Sequence, residues 1–319
     1  MMREEIAVEV KGLTKVFGNF TAVDHIDLKV SKGEIFGFLG PNGAGKSTTI
    51  KMLCGLLLPT SGEGTIAGSD ILKDTEEIKN KIGYMSQKFS LYDDLTVEEN
   101  IDFFAGIYRV PKALRSERKS WILEMSDLTT HKSDITRSLA GGWKQRLALG
   151  CALIHQPPIV FLDEPTSGVD PISRRRFWNL ISDIAREGTT VFVTTHYMEE
   201  AEYCDELALI YKGRIIAKGS PSTIREDSMS SELIELAVSR PFEAIEALEA
   251  SGLVTSASLF GDGLHLTVEK GATDDEKIKE LLLEKGFEVY SLNRARPSLE
   301  DVFVHLIERE DALSESGHK

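Results

Sequence analysis

No run of this 319-residue chain stays apolar for the roughly 18–20 residues that a bilayer-spanning helix needs. Cysteine is scarce. Cys54, Cys151 and Cys204 stand far apart, in no metal-ligating spacing, and read as buried reduced thiols. Positive charge is in deficit: 37 Lys plus Arg face 51 Asp plus Glu, for a net charge of -14. That balance argues against sequence-independent nucleic-acid binding, which needs phosphate neutralisation, and against docking directly on an anionic lipid surface. The start, Met1-Met2-Arg3-Glu4-Glu5 followed by alternation, is not of signal-peptide type. These absences lead to the expectation of a cytoplasmic chain. With 41% apolar and 28% charged residues, it has the composition of a globular protein long enough for two domains.

The charge is unevenly spread. Residues 1–220 carry about -3 and residues 221–319 about -11, and the change falls at the turn-like Lys218-Gly219-Ser220-Pro221-Ser222. A domain boundary is expected there, between 5–220 and 221–310, with a frayed tail over 311–319. The first region alternates strands and helices. Ile6, Val8 and Val10 alternate, as do Ile26, Leu28 and Val30. Glu34–Leu39, Pro158–Leu162 and Thr190–Thr194 are nearly continuous apolar runs, suited to a sheet covered on both faces. Residues 97–150 read as mostly helical. The second region reads strand, helix, strand, strand, helix, strand over Glu232–Val238, Phe242–Ala250, Val254–Phe260, Leu264–Val268, Asp274–Lys285 and Phe287–Leu292. Gly261-Asp262-Gly263 supplies a hairpin turn. That order suggests a small α+β ferredoxin-like layer, followed by a last helix after Pro297-Ser298.

Chemistry concentrates at strand ends of the first region. Gly40, Pro41, Asn42, Gly43, Ala44, Gly45, Lys46 and Ser47, followed by Thr48, fit G-x-x-x-x-G-K-[ST], entered by an apolar strand and left by a helical pattern. Glycines there let backbone N–H groups close around phosphate oxygens, and the helix N-terminus adds its dipole. Lys46 is expected to reach the terminal phosphates and Ser47 to ligate Mg²⁺. The competing reading is a plain Gly-rich turn. The run Ile159–Leu162 ends in Asp163 and Glu164, which suits a metal carboxylate beside a general base; alone, it would read equally well as a buried strand with a charged end. His196 follows the strand Thr190–Thr194 and is placed to touch a γ-phosphate, where a lone histidine elsewhere would more often be a cap. His25, His131, His155, His265 and His305 lack such context and read as structural.

Taken in order, these elements resemble the ABC transporter ATPases. Phe17 matches the family's adenine-stacking aromatic and Gln87, after Gly83-Tyr84-Met85-Ser86, its Gln-loop. Leu139-Ala140-Gly141-Gly142-Trp143-Lys144-Gln145-Arg146 matches the signature, Ser167-Gly168-Val169-Asp170 the loop that crosses to a second subunit, and His196 the switch histidine. The resemblance covers about 5–220. It implies an α/β P-loop ATPase domain with a parallel-sheet core, an antiparallel β lobe and a helical subdomain at 97–150. It also implies ATP and Mg²⁺ as ligands, with Glu164, His196, Gln87 and Lys46 catalytic and Mg²⁺ on Ser47, Gln87 and Asp163. In a head-to-tail dimer, homo or hetero, Leu139, Ala140, Gly141, Gly142 and Asp170 would act across the interface. An integral-membrane permease would dock near Phe89, Leu91 and Tyr92, apolar residues in a segment expected to be exposed, putting the chain peripherally on the cytoplasmic face of the inner membrane; the lesser alternative is that the three pack inside the helical subdomain.

The family usually has Ser where this chain has Ala140, which loses an N-cap hydroxyl and a bond to the opposite γ-phosphate. Met85–Tyr92, Thr195–Glu202 and Pro297–Phe303 are worded as in bacterial ABC-2 type exporters of drugs and antibiotics. In those, a C-terminal domain supports dimerisation or regulation. The alternative is a soluble ABC ATPase of repair, translation or regulation. Only ~50 helical residues separate the lobes here, too few for the coiled coil of repair members, and the single acidic ATPase region lacks the doubled domain of translation factors.

Overall fold

The computed structural model describes residues 5–87, 91–228, 231–269, 275–295 and 298–316, and divides the chain into two compact units, Met1–Pro221 and Ser222–Lys319. In the first unit, β1 (Ile6–Phe17) and β2 (Phe20–Ser31) form a long antiparallel ribbon. Then come β3 (Ile35–Leu39), α1 (Lys46–Leu53), β4 (Ser61–Ile66), β5 (Ser69–Asp70), α2 (Thr75–Lys81) and β6 (Ile82–Met85). Three helices follow, α3 (Val97–Ile107), α4 (Lys112–Met125) and α5 (Gly141–Leu153). The unit continues with β7 (Ile159–Asp163), α6 (Pro171–Arg186), β8 (Thr190–Thr195), β9 (Glu206–Tyr211) and β10 (Arg214–Gly219).

These strands make two sheets. The order β2-β1-β4-β5 is the antiparallel lobe, and β10-β9-β3-β8-β7-β6 is the core sheet, parallel from β9 to β6 with β10 antiparallel at the edge. Every residue of β3, β7 and β8 is buried. That is why their sequences run apolar without alternation, as strands covered on both faces must. Phe36, Phe38, Phe161 and Phe192 lock the centre, Phe192 lying 5.3–5.7 Å from each of the other three. One core joins both sheets to α1. The helices α3, α4 and α5 have a core of their own, from Val97, Ile101, Ile122, Leu147 and Cys151 among others. Helix α3 starts in a capping box in which Glu99 N donates to Thr96 Oγ1 and Thr96 N to Glu99 Oε2.

The second unit contains α7 (Pro221–Ser228, shared at its first residue with the boundary), β11 (Ser231–Val238), α8 (Pro241–Glu249), β12 (Ser256–Phe260), β13 (Gly263–Glu269), α9 (Asp275–Glu284), β14 (Val289–Ala295) and α10 (Leu299–Ser316). Its sheet is antiparallel in the order β12-β13-β11-β14, the ferredoxin-like arrangement. Ile234, Leu236, Leu264, Leu266 and Val268 on one face pack against Ala244, Leu248, Ile278 and Leu282 of α8 and α9. Ser298 starts α10, donating from N and Oγ to Asp301 Oδ2; Pro297 and Asp274 lie outside the described residues.

One local expectation changes. Helix α10 runs to Ser316 instead of fraying from about 311, because no helix breaker occurs before Gly317. The stretch after His196 is a 3₁₀ helix, Met198–Tyr203. Among the described residues no helix is long and apolar enough to cross a membrane.

Candidate functional site

The phosphate loop bridges β3 and α1. Gly43 and Gly45 hold φ of +81° and +111°, and a Cβ on Gly45 would lie 2.5 Å from the Ala22 carbonyl oxygen, so position 45 needs glycine on two counts. Helix α1 opens at Lys46 with no side-chain cap, leaving its first N–H groups directed at the loop. Lys46 is only 4% exposed; its Nζ donates to the carbonyls of Gly40 (2.7 Å) and Pro41 (3.2 Å) and lies 3.1 Å from Glu164 Oε1. Ser47 Oγ donates to Asp163 Oδ1 at 3.1 Å. Two neighbouring residues of α1 thus meet two neighbouring carboxylates at the end of β7.

Successive residues of a strand point to opposite faces, so an unbroken strand would not aim both acids at one loop. The break is at Glu164, which sits at φ +48°, in left-handed space that non-glycine residues rarely occupy. Its N–H is held by the Thr194 carbonyl (3.2 Å) and hydroxyl (3.0 Å), and the same hydroxyl donates to Asp163 Oδ1 at 2.8 Å. Thr194 therefore fixes both acids from the neighbouring strand. Sequence reading missed it, although a hydroxyl at a parallel-strand end beside two carboxylates is a usable signal.

Glu164, 6% exposed, has two further neighbours. Gln87 Nε2 donates to its Oε2 at 3.0 Å, and His196 Nδ1 stands 3.3 Å from the same oxygen. Lys46, Ser47, Gln87, Asp163, Glu164 and His196, drawn from four separate stretches of sequence, meet in one cluster at the C-terminal edge of the parallel sheet. Burial and the charge of Asp163 hold the nearby Cys54 thiol protonated, and burial together with Asp163 pushes the Tyr84 hydroxyl up. Neither competes as a nucleophile. His155, assigned a structural role, stacks on Tyr108 at 3.9 Å with Nε2 3.1 Å from the Ile82 carbonyl, and burial pushes it down to about 4.

Other expected residues are set apart from this cluster. Phe17, 48% exposed, ends β1 with Lys15 Nζ 5.2 Å over its ring. Ala140 is the N-cap of α5, with φ -61° and ψ 151° and no side-chain bond; its carbonyl accepts from Trp143 N and Lys144 N. Leu139 is buried in the helical core, and Gly142 packs close to Ser173, whose Oγ would sit 2.7 Å from an added Cβ. Asp170 caps α6, accepting from Ile172 N and Ser173 N; these bonds, with Ser173 foremost, lower its carboxyl. Of the three expected docking residues, Phe89 lies outside the described residues. Leu91, expected exposed, is half-buried against the helical core, which its apolar chain joins from the edge. Tyr92 remains 49% exposed, edge-on to Phe103 at 4.5 Å.

Because Ala140 already has N-cap dihedrals, a serine would enter without strain. Ala140→Ser should raise ATP affinity or turnover, and should stabilise α5 by about 0.5 kcal/mol, the low end for a cap, since Trp143 N is already bonded. ATP titration, steady-state kinetics and melting check this; no change in any of them would sink it.

Comparison with known proteins gives a consistent picture. A family model described as "ABC transporter" matches residues 23–167, and one described as "ATP-binding protein DrrA1-3-like, C-terminal domain" matches 219–307. The chain is 51% identical over 228 residues to the probable multidrug ABC transporter ATP-binding protein YbhF of Escherichia coli. That match takes in 72% of this chain but only 39% of the length of YbhF. It is 35% identical to the linearmycin resistance ATP-binding protein LnrL of Bacillus subtilis, over 95% of this chain and 98% of that one. It is 31% identical to the daunorubicin resistance ATP-binding protein DrrA3 of Streptomyces coeruleorubidus, over 95% and 96%. Among solved structures, cbiO1 of Clostridium perfringens matches with a TM-score of 0.65 at 27% identity, over 70% of this chain and 92% of that one. A dimeric post-hydrolysis cassette bound to ADP and Pi, MJ0796, matches with a TM-score of 0.61 at 29% identity, over 67% and 98%.

Proposed function

Since this chain belongs to the ABC transporter ATP-binding proteins, we propose that it hydrolyses ATP to drive export through a separate integral-membrane permease of the ABC-2 type. One observation carries the catalytic half: Lys46 and Ser47 of the phosphate loop stand against Glu164 and Asp163 at distances of 3.1 Å each. The export half is supported by the matches over nearly the whole chain to drug-resistance ATP-binding proteins and by the DrrA-like C-terminal unit.

The residues fit a magnesium nucleotide. Ser47 and Asp163 are hard oxygen ligands already in contact, Gln87 stands against the neighbouring Glu164, and Mg²⁺ characteristically takes few protein oxygens and completes its shell with phosphate and water. Bound there, the ion would neutralise phosphate charge. The loop N–H groups and the α1 terminus hold the phosphates, and Lys46 turns from the Gly40 and Pro41 carbonyls to reach them. Phe17 offers a flat exposed face to adenine. Glu164 takes the proton of the attacking water, oriented by Gln87, and His196 contacts the γ-phosphate.

The remaining donors come from a second ATPase unit in a head-to-tail dimer, homo or hetero. The N–H groups of Gly141 and Gly142 at the start of α5 face the opposite nucleotide. The acidic C-terminal unit supports that dimer. Tyr92 and Phe103 give the permease an exposed aromatic contact, and that docking holds the chain on the cytoplasmic face of the membrane.

Tagged chain expressed from its native locus, solubilised in mild detergent and purified, should bring down a polytopic membrane protein whose presence stimulates MgATP turnover. Robust turnover with no membrane protein recovered and no membrane association would favour an ATPase unlinked to transport.

A further inference from the structure

The segments that leave Glu164 and His196 are joined by a buried polar unit that the phosphate loop, the signature and the switch histidine do not account for. Thr166 comes two residues after Glu164, and Glu200 four residues after His196. Each is 1% exposed, and Thr166 Oγ1 donates to Glu200 Oε1 at 2.5 Å. Arg174, in the first turn of α6, brings Nε to 3.5 Å from the same oxygen. Its guanidinium also covers the Tyr197 ring at 4.2 Å, and that ring lies 4.1 Å from the His196 imidazole. The cap of α6 is Asp170, the end of the 167–170 loop. Three segments thus meet at one carboxylate: the loop after Glu164, the helix that anchors that loop, and the segment after His196.

Simple packing does not account for Glu200. Its Oε2 is buried with no hydrogen-bond partner among the described residues, and Arg174 Nε is likewise buried without a hydrogen bond. A half-satisfied buried ion pair is a poor source of stability, since apolar residues of the same volume commonly do as well or better. What the pair supplies is geometry. It fixes Thr166 and Tyr197 to a common point, and through them the distance between Glu164 and His196.

We propose that Glu200 is a positioning residue which, through Thr166 and Arg174, holds the 167–170 loop and His196 in register with Glu164 for hydrolysis. This rests on the ATPase reading above. None of the unit's members is among the residues placed above on nucleotide or metal. Its loss should leave nucleotide binding, which the phosphate loop governs, while slowing the chemical step. A misplacement on the order of 1 Å costs up to about 100-fold in rate.

The full chain with MgATP provides the test. Thr166→Val keeps the shape and removes only the hydroxyl; it should lower kcat about 10- to 100-fold while KM stays within about twofold. Thr166→Ser, which keeps the hydroxyl, should recover most of the rate. Glu200→Ala should lower kcat similarly, and the double variant Thr166→Val, Glu200→Ala should be no slower than the worse single one, as for residues acting as a unit. Thr166→Val with wild-type kcat overturns the proposal. So do Ser and Val variants that are equally slow, additive losses in the double variant, or kcat losses that follow melting temperature across the series. Absence of MgATP turnover in the wild-type chain would overturn the ATPase reading, and this proposal with it.

Discussion

Glu164→Gln should bind ATP and stall: steady turnover falls by at least about 100-fold, the loss expected when a general base is removed, while ATP now drives a stable dimer visible in analytical ultracentrifugation. The substitution is nearly isosteric, and the site is buried, so the shape of the pocket is kept. Its chemistry is not. The carboxylate pairs with Lys46 on Oε1 and accepts from Gln87 Nε2 on Oε2, with His196 Nδ1 3.3 Å from the latter. A glutamine can still accept from Lys46 through its carbonyl oxygen. Its amide group would then face Gln87 Nε2, donor against donor, and it cannot take a proton from water. With hydrolysis blocked and the phosphate loop intact, the nucleotide-bound closed state persists. Turnover within about twofold of wild type, well short of a general-base loss, would show that another group accepts the proton. Loss of ATP binding would show that Glu164 is needed to build the site rather than to run it.

The elements of this site were readable because each follows a local rule. The buried strands β3, β7 and β8 announce themselves as apolar runs, the phosphate loop by its glycines, and the two acids by ending such a run. The strand-helix-strand-strand-helix-strand order of the second region, with the Gly261-Asp262-Gly263 turn, was equally local, and the β12-β13-β11-β14 sheet follows from it. What could not be read depends on contacts between distant segments. Nothing in Asp163-Glu164 tells that Glu164 adopts φ +48°, because that conformation is held by Thr194, 30 residues away. The Thr166–Glu200 bond spans 34 residues and obeys no sequence period. Leu91 shows the same limit: the short apolar group Phe89, Leu91 and Tyr92 has no helical period that tells a docking face from packing on the helical core, against which Leu91 is half-buried. Ala140 was readable as a departure, and its N-cap dihedrals show that the backbone still has the shape a serine would use.

Lys46→Ala should have two effects that separate cleanly. The first is on ATP, whose affinity should fall at least about 100-fold, as a charge-assisted contact to phosphate inside a desolvated loop is lost and its partner charge is left unpaired. The second appears with no nucleotide present. Lys46 and Glu164 form a buried pair at 3.1 Å, and removing one member strands the other charge in a dry site, a change that typically costs about 3–5 kcal/mol. The Lys46→Ala chain should therefore melt earlier than wild type even in nucleotide-free buffer. Adding Glu164→Gln to it should restore much of the loss, because the stranded charge is gone, so the two substitutions should be coupled by more than about 1 kcal/mol in a double-mutant cycle. An unchanged nucleotide-free melting temperature would mean that water or rearrangement already screens the pair; unchanged ATP affinity would remove Lys46 from the phosphate site. The two effects share one cause. Lys46 is held by the Gly40 and Pro41 carbonyls and by the carboxylate proposed as the base. On the proposed reading, a phosphate that recruits Lys46 would weaken its hold on Glu164, so that binding of substrate and release of the base would be coupled through this one pair.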